Sequence, residues 1–262
     1  MRRITITTTA ALFLMLATSA HAQETMISGG LVPNTAKAGS RVHIAVGGAA
    51  PELAGGLPES VALGIQRGFK LDVHAVAARC TGDALTTGKC AATSRIGSGQ
   101  AIVRTSGFLN QDIPATLDVF LAAPVQAGDF ASAVVVISAV GLSRAVRTRL
   151  LAPATGPFGY ELRLEGIAAA VPAVPGLTFA LKSLTLDLGA SRKVTKTTYK
   201  RVRVTRNGRR VTVRRKIRKR VTYNLITNPK TCTTGTWVVR LTVRVAGADR
   251  LRDVAVPCVP AA

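Results

Sequence analysis

The stretch Ser191 to Asn224, SRKVTKTTYKRVRVTRNGRRVTVRRKIRKRVTYN, carries fifteen Lys and Arg, no Asp or Glu, and an Asn207-Gly208 pair at its centre. Asn-Gly is the strongest short-range signal for a two-residue type I′ hairpin, because both central residues must take positive φ. With that pair as the loop, Arg206 faces Arg209, Val204 faces Val211, Val202 faces Val213, Thr198 faces Ile217 and Val194 faces Val221. Side chains alternate between the faces of a strand. This register therefore puts almost every branched apolar residue on one face and Arg201, Arg203, Arg210, Arg214, Lys216, Arg218 and Arg220 on the other. Strands from Val194 to Arg206 and from Arg209 to Val221 would each be roughly 43 Å long, so the tip should project beyond a globular body. An isolated ribbon of this kind is marginal in water, so its base is expected to be continuous with a larger sheet.

The rest of the chain also reads as strands. Short alternating or apolar segments recur at Arg41 to Val46, Val61 to Ile65, Lys70 to Val76, Gln100 to Arg104, Ala115 to Leu121 and Ser132 to Val140. They continue at Val146 to Leu151, Tyr160 to Leu164, Leu177 to Leu188, Val221 to Ile226, Trp237 to Val245 and Arg250 to Val256, with Gly, Pro, Asn or Asp between most of them. Short strands at this spacing predict an all-β chain, a β-sandwich or barrel rather than alternating β and α units, and the leading expectation is a β-sandwich with a protruding basic hairpin at 193–222. In Trp237 to Val245 the alternation assigns Trp237, Val239, Leu241, Val243 and Val245 to the core and turns Arg240 and Arg244 outward. Val73 to Arg79 could form one helical turn, and Ile167 to Gly176, with two prolines and no polar side chain, reads as a loop packed over the sheet edge. A division into halves near 153–157 is conceivable, but no polar linker marks it, and one domain from 23 to 262 is expected.

The first 22 residues have the three parts of a secretory signal peptide: Arg2-Arg3, an apolar run from Ala10 to Ala17, and Ala20-His21-Ala22. The apolar run is too short to span a bilayer. The mature chain should begin near Gln23, without a cysteine for a lipid anchor, and be secreted or held at the cell envelope. Cys80, Cys90, Cys232 and Cys258 all fall in the exported part, where an even count favours disulfides. Three pairings are possible, and sequence proximity suggests Cys80 with Cys90 and Cys232 with Cys258. No C-x-x-C or H-x-x-x-H spacing supports a metal, and His43 and His74 stand alone in apolar alternation.

The formal charge of +22 is concentrated. Setting aside the fifteen charges of the hairpin leaves +7 for everything else, so the body is only mildly basic. Hydrophobic residues make up 47% of the chain but aromatics only 4%, which predicts a core of Val, Leu, Ile and Ala. No catalytic, cofactor or metal signature accompanies this composition. Gly97-Ser98-Gly99 lacks the G-x-S-x-G spacing of a nucleophile elbow and is not a phosphate-binding loop; it reads as a glycine-rich lead into a strand. Asp72 and His74 would share a face on a strand, without an identifiable third partner.

Gly-Phe before the first Cys, Ser94-Arg95-Ile96-Gly97-Ser98-Gly99 after the second, Asn228-Pro229-Lys230-Thr231-Cys232 with Trp237 beyond it, and a Pro257-Cys258 end together resemble a family of uncharacterised secreted actinobacterial proteins. The likeness covers most of the mature chain. It implies an all-β extracellular module with both disulfides, in which the basic hairpin is a variable insertion before the Asn-Pro-x-x-Cys strand. It brings no activity, ligand or catalytic residue.

Three readings of the hairpin follow. Its cations could contact a polyanion: a nucleic-acid backbone, an anionic lipid surface or an anionic cell-wall polymer. They could instead keep an exposed ribbon soluble, as charges do on sheet edges, or the valine face could dock on a partner protein. Directly opposed cations such as Arg201 with Arg214 repel, which is easier to sustain beside a compensating anion. Only Tyr199 lies on the cationic face, so base-specific recognition is not expected. The leading expectation is a non-enzymatic binding or envelope module using the cationic face, ahead of a structural surface protein and a secreted enzyme. An outer-membrane barrel is disfavoured by sparse aromatics and two expected disulfides.

Overall fold

The computed structural model describes residues 26–47, 56–152, 156–171, 174–206 and 208–261. The signal-peptide segment 1–22, residues 153–155 and Asn207 at the hairpin tip lie outside the described residues. The strands in chain order are β1 (Met26–Val32), β2 (Gly39–Gly47), β3 (Ser60–Gln66), β4 (Lys70–Leu71), β5 (Arg95–Gly107), β6 (Asp112–Ala122), β7 (Asp129–Ala139) and β8 (Leu142–Leu151). They continue with β9 (Phe158–Glu165), β10 (Leu177–Leu188), β11 (Ser191–Arg206), β12 (Arg209–Asn224), β13 (Ile226–Thr227), β14 (Thr236–Val245) and β15 (Ala248–Pro257). Two single-turn helices, α1 (Ala84–Thr87) and α2 (Ile167–Ala170), complete this all-β architecture.

Thirteen strands form one antiparallel sheet in the order β15-β14-β3-β9-β8-β7-β6-β5-β10-β2-β13-β4, with β1 also paired to β2. The sheet rolls up, so its two sandwich-like layers are halves of a single sheet. Its edge strands β1 and β15 run side by side: a parallel bridge joins Thr35 to Val259, and the Val259 N–H donates to the Asn34 carbonyl at 3.0 Å. Gly29 permits this approach, since a Cβ there would lie 3.2 Å from Cγ1 of Val254. The strands flanking 153–157, β8 and β9, are hydrogen-bonded neighbours in this sheet.

Alternation decides what the roll encloses. Trp237, Val239, Leu241, Val243 and Val245 are all buried, while Arg240 and Arg244 turn outward to Asp253 and to Glu59 with Asp249. Trp237 packs edge-on to Phe69 at 5.3 Å and donates its indole N–H to the Thr231 carbonyl. The interior is apolar and the outer face carries ion pairs such as Arg95–Asp118 and Arg104–Asp112–Lys182. An outer-membrane barrel has the opposite arrangement, an apolar outside around a polar lumen.

At the end from which β10 leads to the ribbon, β4 and β13 cap the roll, with Ile226 paired to both Ser40 and Leu71. Buried Asn228 clamps the neighbouring segment by donating its amide to the carbonyls of Pro33 and Thr35 at 3.0 and 2.8 Å. At the opposite end, packing is incomplete. Aliphatic side chains from most of the strands surround a void of about 140 Å³, bounded there by Leu57, Pro58, Ile167 and Val171. Left empty, a cavity of that size costs about 3 kcal/mol at the usual penalty per unit of void volume.

Both disulfides join sequence neighbours, Cys80–Cys90 and Cys232–Cys258, with Cα separations of 5.1 and 5.9 Å. Loop-closure entropy gives them about 3 and about 3.5 kcal/mol of stabilisation respectively. The first holds the α1 loop over Phe120, Ala122 and Val134, which explains why those side chains are buried on the outer side of the sheet. The second ties the turn before β14 to the end of β15.

Three sequence expectations about the roll are corrected. Lys70 to Val76 is not one strand: β4 stops at Leu71 and a 3-10 turn covers Val73–Ala75. The Asp72 carboxylate accepts from both the backbone N–H and the ring of His74, at 2.9 and 2.8 Å, and this local chelate favours the turn over extended chain. Gly97 and Gly99 lie inside β5 rather than ahead of it, because a Cβ at either would run into the β10 carbonyls of Asp187 and Thr185. The apolar segment after β9 contains α2 and lines the void instead of covering an edge. Strand β1, MISGGLV, was not foreseen, since its two glycines break the alternation.

Candidate polyanion-binding ribbon

Strands β11 and β12 pair only with each other, in an antiparallel ladder running from Ser191 opposite Asn224 to Arg206 opposite Arg209. The expected continuity with the main sheet is therefore not found. The chain leaves β10 through Gly189, where a Cβ would lie 2.9 Å from Cα of Arg41, and returns through Leu225, whose N–H donates to the Ala190 carbonyl at 2.8 Å. Side chains brace the base instead of a ladder. Arg192 donates to the Val76 carbonyl at 3.2 Å, and Tyr223 lies between the His74 ring and the ammonium of Lys196. Gly208 has φ +72°, the left-handed conformation that a tight hairpin turn requires.

The ladder has the register read from sequence, including Val202 opposite Val213 and Val194 opposite Val221. It places Arg201, Arg203, Arg210, Arg214, Lys216, Arg218 and Arg220 on one face, all exposed, and adds Lys193 to them. On this face the charges are arranged in single file. Arg203 lies opposite Thr212, Arg210 opposite Thr205, Lys216 opposite Tyr199, Arg218 opposite Thr197 and Arg220 opposite Thr195. Arg201 opposite Arg214 is the one like-charge rung, and the Arg214 guanidinium sits over the Tyr199 ring at 5.6 Å. Along β12, Arg214, Lys216, Arg218 and Arg220 recur every second residue, a comb with a spacing of about 6.8 Å.

The valine face is less uniform than alternation of apolar residues implied. Lys196 opposite Lys219 and Lys200 opposite Arg215 interrupt its apolar rungs. Val204, Val213 and Ile217 are 37 to 39% exposed, so beyond its base this face is not packed against the body. The same register places these cations, since Lys196 and Lys200 share the parity of Val194 and Val202.

Among the described residues, Asp83 is the one body acid left without a cation partner. Every carboxylate among the described residues except that of Asp83 lies within 4.0 Å of an Arg, Lys or His of the body, and no ribbon cation forms a salt bridge among those residues. Some of these pairs are strong. Hydrogen bonds from Arg104 and Lys182 hold Asp112 far below the usual carboxylate range, and Arg149 and Arg240 depress Asp129 and Asp253 in the same way. A carboxylate with a depressed folded pKa stabilises the fold above its unfolded pKa, about 3.9, and loses that contribution as pH falls through the folded value. The melting temperature should thus hold from neutral pH to about pH 5 and decline below about pH 4, with a shallower decline in Asp129→Asn. Thermal unfolding from pH 7 to pH 2 measures this, and an unchanged decline in the variant would remove Asp129 from the account.

The rolled sheet also brings His43, Asp187, Ser98 and Asp118 into one row across β2, β10, β5 and β6. His43 binds Asp187 through Nδ1 at 2.8 Å, while Ser98 is opposite Asp187 on the far side. The carboxylate stands between the two. His43 and Ser98 are two strand spacings apart, about 10 Å, so imidazole cannot take the serine proton as a Ser-His relay requires. Asp72 and His74 are likewise used in capping their own turn.

No protein-family model, curated protein or solved structure matches this chain.

Proposed function

We propose that the protein is a secreted or envelope-associated, non-enzymatic module that grips linear polyanions along the odd-numbered face of β11 and the even-numbered face of β12. The observation that carries this reading is the unbalanced charge of the ribbon: a single file of exposed cations, mounted on a body whose carboxylates, among the described residues and except for Asp83, are already paired. Such a row suits phosphates, sulfates or carboxylates strung along a chain, and guanidinium groups can bind them in bidentate fashion. The two disulfides fit an oxidising compartment, and the signal-like N-terminus fits export. The resemblance to secreted actinobacterial proteins supports the same location.

The solubilising reading has its own support, on the other face. Lys196, Lys200, Arg215 and Lys219 are interleaved with apolar rungs that would otherwise invite ribbons to stack. The two faces thus divide the two tasks.

The test compares the mature protein with a variant in which residues 195 to 220 are replaced by a short turn. Each is titrated with heparin, duplex DNA and anionic vesicles over a salt series. Binding should disappear with the ribbon and fall steeply with salt, and the ranking of the three probes identifies the polymer or surface preferred. Equal weak binding by both proteins would overturn the reading.

A further inference from the structure

We propose that the void inside the rolled sheet is a binding site for a small uncharged hydrocarbon group of about the bulk of a benzene ring. Leu63, Leu117, Leu162, Leu184, Leu186 and Ile137 contribute to its wall, which is aliphatic but for one residue. The one polar residue in the lining, Thr148, is satisfied elsewhere: its hydroxyl accepts from the Ala133 N–H and donates to the Ala133 carbonyl, both at 3.2 Å. No polar group of the lining is left to hold a water, which needs two to four partners, so the site favours an apolar occupant. Apolar cavities of this size, about 150 Å³, take up benzene-sized molecules. Protein interiors contain few voids larger than a water molecule, so 140 Å³ is more than ordinary packing slack.

The end of the roll nearest this void also exposes large apolar side chains. Phe108, Val140 and Leu142, in the turns between β5 and β6 and between β7 and β8, are 72, 78 and 64% exposed. Val140 and Gly141, at φ +49° and +75°, form the two-residue turn that presents the Val140 side chain at this end. The ribbon emerges from the other end, so this inference is independent of the polyanion reading.

The experiment titrates the purified mature protein with benzene, and separately with octanoate, following the methyl resonances of Leu117, Leu162 and Leu184 and the melting temperature. Those methyls should shift on binding, and a ligand at about five times its Kd should raise Tm by roughly 2–4 °C. A response to octanoate alone identifies the end of an amphiphile chain; a response to benzene, alone or with octanoate, identifies a free small molecule. Ala115→Leu fills the void from its wall and should abolish both responses, and Ala101→Val serves the same purpose if the larger side chain prevents folding. Absence of methyl shifts with both ligands at aqueous saturation, or shifts that persist undiminished in a folded filled variant, would overturn the proposal.

Discussion

Changing Arg201, Arg203, Arg214 and Arg218 together to Ser should flatten the salt dependence of duplex DNA binding by about 3–4 in log–log slope, since each lost phosphate contact removes roughly 0.9. At low salt the affinity should fall by orders of magnitude, while the melting temperature stays level or rises. That last part distinguishes binding from structure. All four side chains are exposed, none has a carboxylate partner among the described residues, and their loss removes the like-charge rung between Arg201 and Arg214. Neutralising Lys196, Lys200, Arg215 and Lys219 on the valine face should cost less affinity and produce self-association instead, measurable by light scattering. A drop in thermal stability with unchanged DNA affinity in the first variant would show that this face is structural.

The largest effect on stability is expected at Trp237→Ala. Trp237 is 3% exposed, meets Phe69 edge-on and anchors the Thr231 carbonyl next to the Cys232–Cys258 bridge. Truncating a buried tryptophan costs about 3–5 kcal/mol, and in a chain of this size that lowers Tm by roughly 10–15 °C. Trp237→Phe should retain most of the packing and lose only the indole hydrogen bond. Denaturant unfolding of the two variants checks the order. A loss below about 1 kcal/mol in the alanine variant would mean that the surrounding aliphatic side chains collapse into the space.

The ribbon was legible because two local signals agree there. Asn-Gly fixes the turn, period-2 alternation fixes the face, and every rung follows by counting. Strand β14 was equally legible from its alternation. The rolling of the sheet was not, because it depends on which distant strands become neighbours: β3 lies between β14 and β9, and β1 meets β15 across nearly the whole sequence. No local pattern encodes such partners. The glycines of β5 show the same limit, since the backbone of β10 that excludes their side chains comes from about 90 residues away. The void is a property of the closed roll, and its lining residues look like any other core aliphatics in sequence. For the ribbon the remaining gap was one of energy: its register revealed the charges, but only the paired carboxylates of the body reveal that those charges are left over.

The ribbon begins and ends across one hydrogen bond, between Ala190 and Leu225, so the body meets it as it would meet a tight turn. Its length is therefore free to change in evolution or by design without moving a strand of the roll, subject to a parity condition. Deleting two residues from each arm shortens the reach by about 6.8 Å and leaves every remaining cation on its face. Deleting one from each arm turns the portion beyond the deletion over, exchanging the comb for the valines. Ribbons that differ in reach by such even steps would present the same comb in the same direction, with the body serving as an invariant handle.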